Sequence, residues 1–219
     1  VSVGWVRKPL ASVCEVFTDG DWIESKDQSP SGIRLVQTGN VGNGEFKDRS
    51  EKARYISEST FKRLNCTEIF PGDCLVSRLP DPVGRSCIIP VLDERAITAV
   101  DCTIIRFNQT RELPAFYNYY SQSFAYLNDV DSVTSGTTRK RISRKNLGKI
   151  EIPVPSLGEQ QRIVAILDEA FEGIATATAN AEKNLQNARE LFESTLQSVF
   201  AEKGKGWLPK KLGDLTEVQ

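Results

Sequence analysis

SLGEQQRIVAILDEAFEGIATATANAEKNLQNARELFESTLQSVFAEKG, running from Ser156 to Gly204, decides how this chain is built. Pro153 and Pro155 forbid a helix just before it. Ser156 offers a side-chain oxygen to the first free N–H groups, and Glu159, three residues on, completes a capping-box pattern. Gly204 and Gly206 stand where a left-handed C-cap belongs. Between these signals an apolar or small stripe runs through Ile163, Leu167, Ala170, Ile174, Ala177, Ala181, Leu185, Ala188, Phe192, Leu196 and Val199. Its mean spacing of about 3.6 residues is the period of a straight α-helix, not the 3.5 of a sustained heptad coil. The reading is one rod over 156–203, about 70 Å long at roughly 1.5 Å per residue. The alternative is two helices broken near Gly173 or at Thr176–Thr178, where helix propensity is poor. A helix of this length is a spacer whose stripe needs a partner helix, more than an ordinary core element.

Working outward, the two flanks of the rod repeat each other. Gly4-Trp5-Val6-Arg7-Lys8-Pro9-Leu10-Ala11-Ser12-Val13-Cys14-Glu15-Val16 aligns without gaps to Gly206-Trp207-Leu208-Pro209-Lys210-Lys211-Leu212-Gly213-Asp214-Leu215-Thr216-Glu217-Val218, with six identities in 13 positions. The expected organisation is a globular domain at 1–155, the rod at 156–203, and the first residues of a second such unit at 204–219.

Residues 1–155 read as short strands broken by turns. Ile33–Val36 ends at Thr38-Gly39-Asn40, Asn43-Gly44 is a type I′ hairpin signal, and Cys74–Ser77, Ser86–Ile89, Ala99–Phe107 and Ile150–Val154 are strand candidates. Tyr55–Leu64 contains a short helix with Ser57 as cap, and Leu113–Leu127 reads as another. The fold class is α+β: a globular domain with a mixed or antiparallel sheet and short helices, then one very long α-helix.

Composition narrows the chemistry. Among 219 residues there is no histidine, which removes the commonest general base and every His-containing zinc site. Five scattered cysteines without a C-x-x-C read as buried thiols, not a disulfide framework. No phosphate-binding Gly-rich loop and no methyl-donor loop is visible, so no catalytic residue, metal or cofactor is expected. No apolar run reaches the roughly 18 residues of a membrane span, which makes the cytoplasm the default compartment.

The rod carries four basic and eight acidic residues, against 21 and 19 in residues 1–156. The sharpest basic cluster is Ser135–Asn146, with Arg139, Lys140, Arg141, Arg144 and Lys145 and no acid. Arginine forks suit phosphate oxygens and guanine edges. The bland alternative is a solvated loop whose Ser143 caps a short helix. Gln37, Thr38, Asn40 and Asn43 could pair with base edges, and Arg78 and Arg85 bracket a turn-rich loop. Lys47, Arg49, Lys52 and Arg54 follow the hairpin signal, and of these Lys47 is the candidate contact. Aromatics at Phe116, Tyr119, Tyr120 and Phe124 read as core filling before base stacking.

Ile152-Pro153-Val154-Pro155-Ser156-Leu157-Gly158-Glu159-Gln160-Gln161-Arg162-Ile163-Val164 resembles the proline–Glu-Gln–helix signature of the specificity subunits of type I restriction-modification systems. Leu35–Val41 with Asn43-Gly44, Pro71-Gly72-Asp73 before Gly84-Arg85, Ser135-Gly136-Thr137 with Ile142-Ser143, and the Trp5…Leu10 opening repeated at Trp207…Leu212 stand in that family's order. The resemblance implies a target recognition domain at 1–155, a conserved spacer helix at 156–203 and the start of a second recognition unit. It implies a non-catalytic subunit that reads one half of a split target in double-stranded DNA and binds methyltransferase and restriction subunits. The chain is about half the length of such a subunit, so the rod is expected to pair with a second copy of itself. The competing reading is a helical adaptor without DNA readout.

Overall fold

The computed structural model describes residues 4–136, 140–201, 204 and 206–215. Thr137, Arg139, Thr216 and Val218 therefore lie outside the described residues, as do Glu202 and Lys203. The chain divides into two units, Val1–Ile166 and Leu167–Gln219.

The first unit is built on two sheets and a ribbon. Strands β2 (Cys14–Asp19), β10 (Cys102–Phe107), β7 (Cys74–Ser77) and β8 (Ser86–Ile88) form a four-stranded antiparallel sheet in that order. A second sheet is mixed, ordered β3 (Gln28–Ser29), β5 (Arg54–Ile56), β4 (Ile33–Val36), β9 (Ala96–Thr98), β6 (Glu68–Ile69), with the β4–β9 pair parallel. β1 (Val6–Pro9) pairs antiparallel with β11 (Glu151–Val154), so the opening of the chain lies beside the strand that precedes the rod.

The run Cys74–Ser77 is buried throughout because its sheet is covered on both faces. Alternate residues go to opposite sides, as a two-residue strand period requires. Leu75, Cys102 and Ile104 join Val36, Val41, Ile69, Cys87, Ile89 and Ala96 in one core. Cys74, Val76, Ile105 and Phe107 join Tyr117, Tyr126, Val130 and Leu147 from the helices in another. Removing a large side chain from either costs about 2–5 kcal/mol.

The short helices start where the sequence supplies an oxygen. Ser57 accepts Thr60 N–H at the start of α1 (Glu58–Leu64), which stops at left-handed Asn65. Ser143 accepts Asn146 N–H at the start of α4 (Arg144–Lys149). The single helix expected over Leu113–Leu127 is two, α2 (Pro114–Tyr120) and α3 (Phe124–Ser132). Ser121 is drawn inward to hydrogen-bond Ser86, and Ser123 caps the second helix, so the chain must turn between them. Phe116, Tyr117 and Tyr126 fill the core, whereas Phe124 is exposed. The strand expected over Ala99–Phe107 begins at Cys102, because residues 99–101 form the turn after β9.

Asn43-Gly44 does not form a type I′ turn, which needs positive φ at both residues. Gly44 alone has it, at 89°. The segment is a four-residue connection closed by Gly42 N–H to Glu45 O, with Val41 opposite Phe46. Gln122 lies where a Gly44 side chain would project, and Asn118 donates to Gly44 O at 2.7 Å.

α5 is unbroken from Leu157 to Ala201, 45 residues or about 67 Å. Neither Gly173 nor Thr176–Thr178 interrupts it, since one weak residue within many favourable turns costs less than a new pair of helix ends. Ser156 accepts Glu159 N–H at 3.4 Å, and the Glu159 carboxylate takes two bonds from Arg162. Gln160 is completely buried. Its Oε1 accepts Leu113 N–H at 2.8 Å, while Nε2 faces Pro155 O, Arg111 O and the Glu112 carboxylate at 3.0–3.2 Å. This glutamine fastens the first turn of α5 to the loop before α2. Gly206 has the positive φ of a left-handed turn, and Gly204 does not.

Candidate nucleic-acid interface

The cations singled out in the sequence fall into three physical classes: braces inside the fold, surface groups already matched to acids, and unpaired groups around a cleft.

Arg85 is a brace. Its Nε donates to Val41 O at 2.7 Å, Nη2 to Thr38 O at 3.0 Å, and Nη1 to Leu79 O, Pro80 O and Pro82 O at 2.5–3.1 Å. A guanidinium has five N–H donors; here Nε and one N–H of Nη2 each meet a carbonyl, and the two N–H groups of Nη1 are shared among three. Arg85 therefore ties the 37–41 segment to the 79–82 loop. Asn40 is used the same way. It is buried, accepts Gln37 N–H and donates to Lys47 O, both at 2.9 Å. Arg78 is 4% exposed, donates to Val100 O and lies 3.4 Å from the Asp19 carboxylate. Burial lowers the Arg78 and Arg85 pKa values from the usual guanidinium value. Arg78, Arg85 and Asn40, expected to face a ligand, thus spend most of their polar atoms within the protein, although the buried Arg78 Nε has no partner among the described residues.

The Ser135–Asn146 segment is the second class. Ser135 and Arg141 exchange backbone hydrogen bonds at its base. Lys140 meets Asp131 at 2.6 Å, Arg141 meets Asp101 at 3.1 Å, and Arg144 approaches Asp19 at 3.8 Å and Thr18 Oγ1 at 3.3 Å. Lys145 is exposed without a side-chain partner among the described residues. These acids all belong to the sheet domain, not to the acidic rod.

The third class surrounds a cleft of about 280 Å³. One wall is Gln37, Thr38, Gly39 and Asn40, the single-turn helix that follows β4. The other is the segment from Arg49 through Lys52 to Arg54, which leads into β5. Arg49, Lys52 and Arg54 are exposed, and among the described residues none has a side-chain hydrogen bond or ion pair. The floor holds Arg34, 5% exposed, paired with Asp48 and 3.7 Å from Glu94. Lys47 lies outside the cleft lining, 3.6 Å from Glu45, and Asn43 is exposed at its turn. The expected contacts Gln37 and Thr38 thus meet Arg49, Lys52 and Arg54. Those three are visible in the sequence only as ordinary surface cations, and nothing in their spacing marks them as convergent.

Along α5, Ile163 and Leu167 are half-buried. Ala170, Ile174, Ala177, Ala181, Leu185, Ala188, Phe192, Leu196 and Val199 are exposed, with Ile166, Phe171, Leu191 and Phe200 adding further exposed apolar surface. The five cysteines are free; Cys66, Cys74, Cys87 and Cys102 are buried and Cys14 is half-buried. Desolvation raises the Cys14 pKa to about 12. Among the described residues no three acidic or cysteine side chains are grouped to hold a metal, and no helix is long and apolar enough to cross a membrane.

Residues 2–186 match the family described as the type I restriction modification DNA specificity domain. The specificity subunit of the type I restriction enzyme EcoKI of Escherichia coli K12 is 23% identical over 201 residues, covering 88% of this chain and 42% of the relative. The StySPI specificity subunit of Salmonella potsdam is 22% identical over 206 residues, covering 90% and 43%. The HsdS subunit of Thermoanaerobacter tengcongensis superposes with a TM-score of 0.58 at 23% identity, covering 80% of this chain and 39% of that one. That likeness shows the fold. The chain spans rather less than half the length of these relatives.

Proposed function

The chain belongs to the type I restriction modification DNA specificity domain family, and from that premise we propose that it reads one half of a bipartite target in double-stranded DNA. In this reading residues 1–155 are the target recognition domain, 156–203 the spacer helix, and 204–219 the start of a second unit. The chain supplies specificity, and the chemistry belongs to methyltransferase and restriction subunits bound to it. The observation that supports this best is the family match, which runs through both sheets and into most of α5. Gln37, Thr38, Asn43 and Lys47 are the base-side and backbone contacts retained from the sequence, with Arg139, Lys140, Arg141, Arg144 and Lys145 as outer phosphate contacts. The same family match favours DNA reading over a helical adaptor without DNA readout. Methylome sequencing of the source strain tests the function. A methylated bipartite motif should vanish when the gene is deleted; an unchanged set of motifs overturns the reading.

The exposed stripe on α5 supports a second proposal, a homodimer formed by antiparallel pairing of two rods about a two-fold axis. Ile174, Leu185, Phe192, Leu196 and Val199 are 46–66% exposed, more apolar surface than an unpartnered helix normally leaves in water. Light scattering should give about 49 kDa, twice the 24.4 kDa chain. Leu185→Glu should return it to the monomer by placing an unpaired charge in the seam. A monomer at high micromolar concentration rejects the pairing.

A further inference from the structure

We propose that the cleft between Gln37–Asn40 and Arg49–Arg54 is a seat for a backbone phosphate of the duplex, with Arg49, Lys52 and Arg54 as its cationic ligands. This rests on the DNA-reading function above and assigns to one place the grip that holds the duplex in register.

The charge of the lining favours an anion. At about 280 Å³ the cleft lies at the small end of ligand pockets, and its lining is more polar than apolar, with Leu35 and Ala53 its hydrophobic residues. An anion would find three unpaired cations and no acid in the lining. Several other cations of the domain have acid partners, Arg106 with Asp73 at 2.7 Å, Arg95 with Glu68 at 2.7 Å and Arg141 with Asp101 at 3.1 Å, whereas Arg49, Lys52 and Arg54 are three cations without one that line the same cleft. Asp48, adjacent in sequence to Arg49, is directed to Arg34 instead. Like charges left together without a counter-charge repel, and a phosphate oxygen relieves that repulsion.

The Gln37–Asn40 wall is anchored from behind. Arg85 holds Thr38 O and Val41 O, and Asn40 bridges Gln37 N–H to Lys47 O. Gly39 makes room for Arg49: a Cβ on residue 39 would lie 2.9 Å from the Arg49 Nη1 atom. Gly39 has no positive φ, so its lack of a side chain serves space and not backbone conformation. Thr38 and Gln37 border the phosphate seat, where a hydroxyl and an amide can reach the neighbouring sugar or base edge.

The experiment compares the full chain with Arg49→Ala/Lys52→Ala/Arg54→Ala, with Gly39→Ala, and with Lys140→Ala/Lys145→Ala. Each is titrated with a fluorescein-labelled 30-base-pair duplex of random sequence at several salt concentrations. The triple variant should bind about tenfold or more weakly, and its plot of log K against log salt should flatten by about one for each phosphate that the variant no longer engages. Gly39→Ala keeps every charge and shifts only the flexible end of Arg49, so its effect on binding should be smaller than that of the triple variant. The Lys140/Lys145 pair should have the smaller effect. Thermal melting checks that each variant is folded; the three cleft cations are exposed, so their removal should leave the melting curve in place. If the wild type binds and the triple variant matches it in affinity and slope, the cleft assignment is overturned while DNA reading stands. If the wild type binds no duplex even with methyltransferase subunits present, the functional reading fails and takes the cleft with it.

Discussion

Two basic segments of this domain look alike in sequence and differ in physical state. Residues 140–145 hold Lys140, Arg141, Arg144 and Lys145, and three of the four meet carboxylates of the same domain at 2.6–3.8 Å. Residues 49–54 hold Arg49, Lys52 and Arg54, none with a side-chain partner among the described residues. A count of positive charge ranks the first segment higher. The field available to an external anion ranks the second higher, because a cation already facing a carboxylate projects much less potential into solvent. Charge density in a sequence therefore overstates binding capacity wherever the fold supplies the counter-charge.

Arg85 sharpens the comparison, since it stands for a third state in which a half-buried cation is bonded to carbonyls of its own fold. Arg85→Ala should destabilise the chain by about 3 kcal/mol, because several carbonyls lose their donor at once. Melting temperature should fall by roughly 6–12 °C, and Arg85→Lys should not rescue it, since an ammonium cannot reproduce the fork. An unchanged melting temperature would place Arg85 among the cations available to a ligand. A smaller effect comes from converting a paired cation into a free one. Asp101→Asn releases Arg141 from its counter-charge and should raise non-specific duplex affinity roughly two- to fivefold at low salt, with a steeper salt slope. No gain would mean that the 140–145 segment is turned away from the duplex.

The rod and the caps were legible because their signals are local. Ile163–Val199 repeats at the helix period, and a serine directly ahead of each of α1, α4 and α5 provides the first acceptor. The departures from expectation share a cause. Leu113–Leu127 has helical composition throughout, but Ser121 is claimed by Ser86, which lies on a strand far away in sequence. Asn43-Gly44 carries the hairpin signal, but Asn118 and Gln122 pack against the turn and settle its shape. Among candidate contacts, Arg85 and Asn40 looked like readers because Arg and Asn make good base contacts. The same forks and amides bind carbonyls equally well, and carbonyls of the 37–41 and 79–82 segments were nearer.

By itself the sequence determined the α+β class, the long unbroken helix, the buried thiols and the family, since each depends on the order of neighbouring residues. Whether a cation braces the fold, is neutralised by an acid, or stands free was decided by tertiary structure alone. Asp19, Asp101 and Asp131 become counter-charges only when the strands and helices that carry them reach the 140–145 segment. Coulombic and hydrogen-bond partners act over a few ångströms in space, and folding sets those distances without regard to separation along the chain.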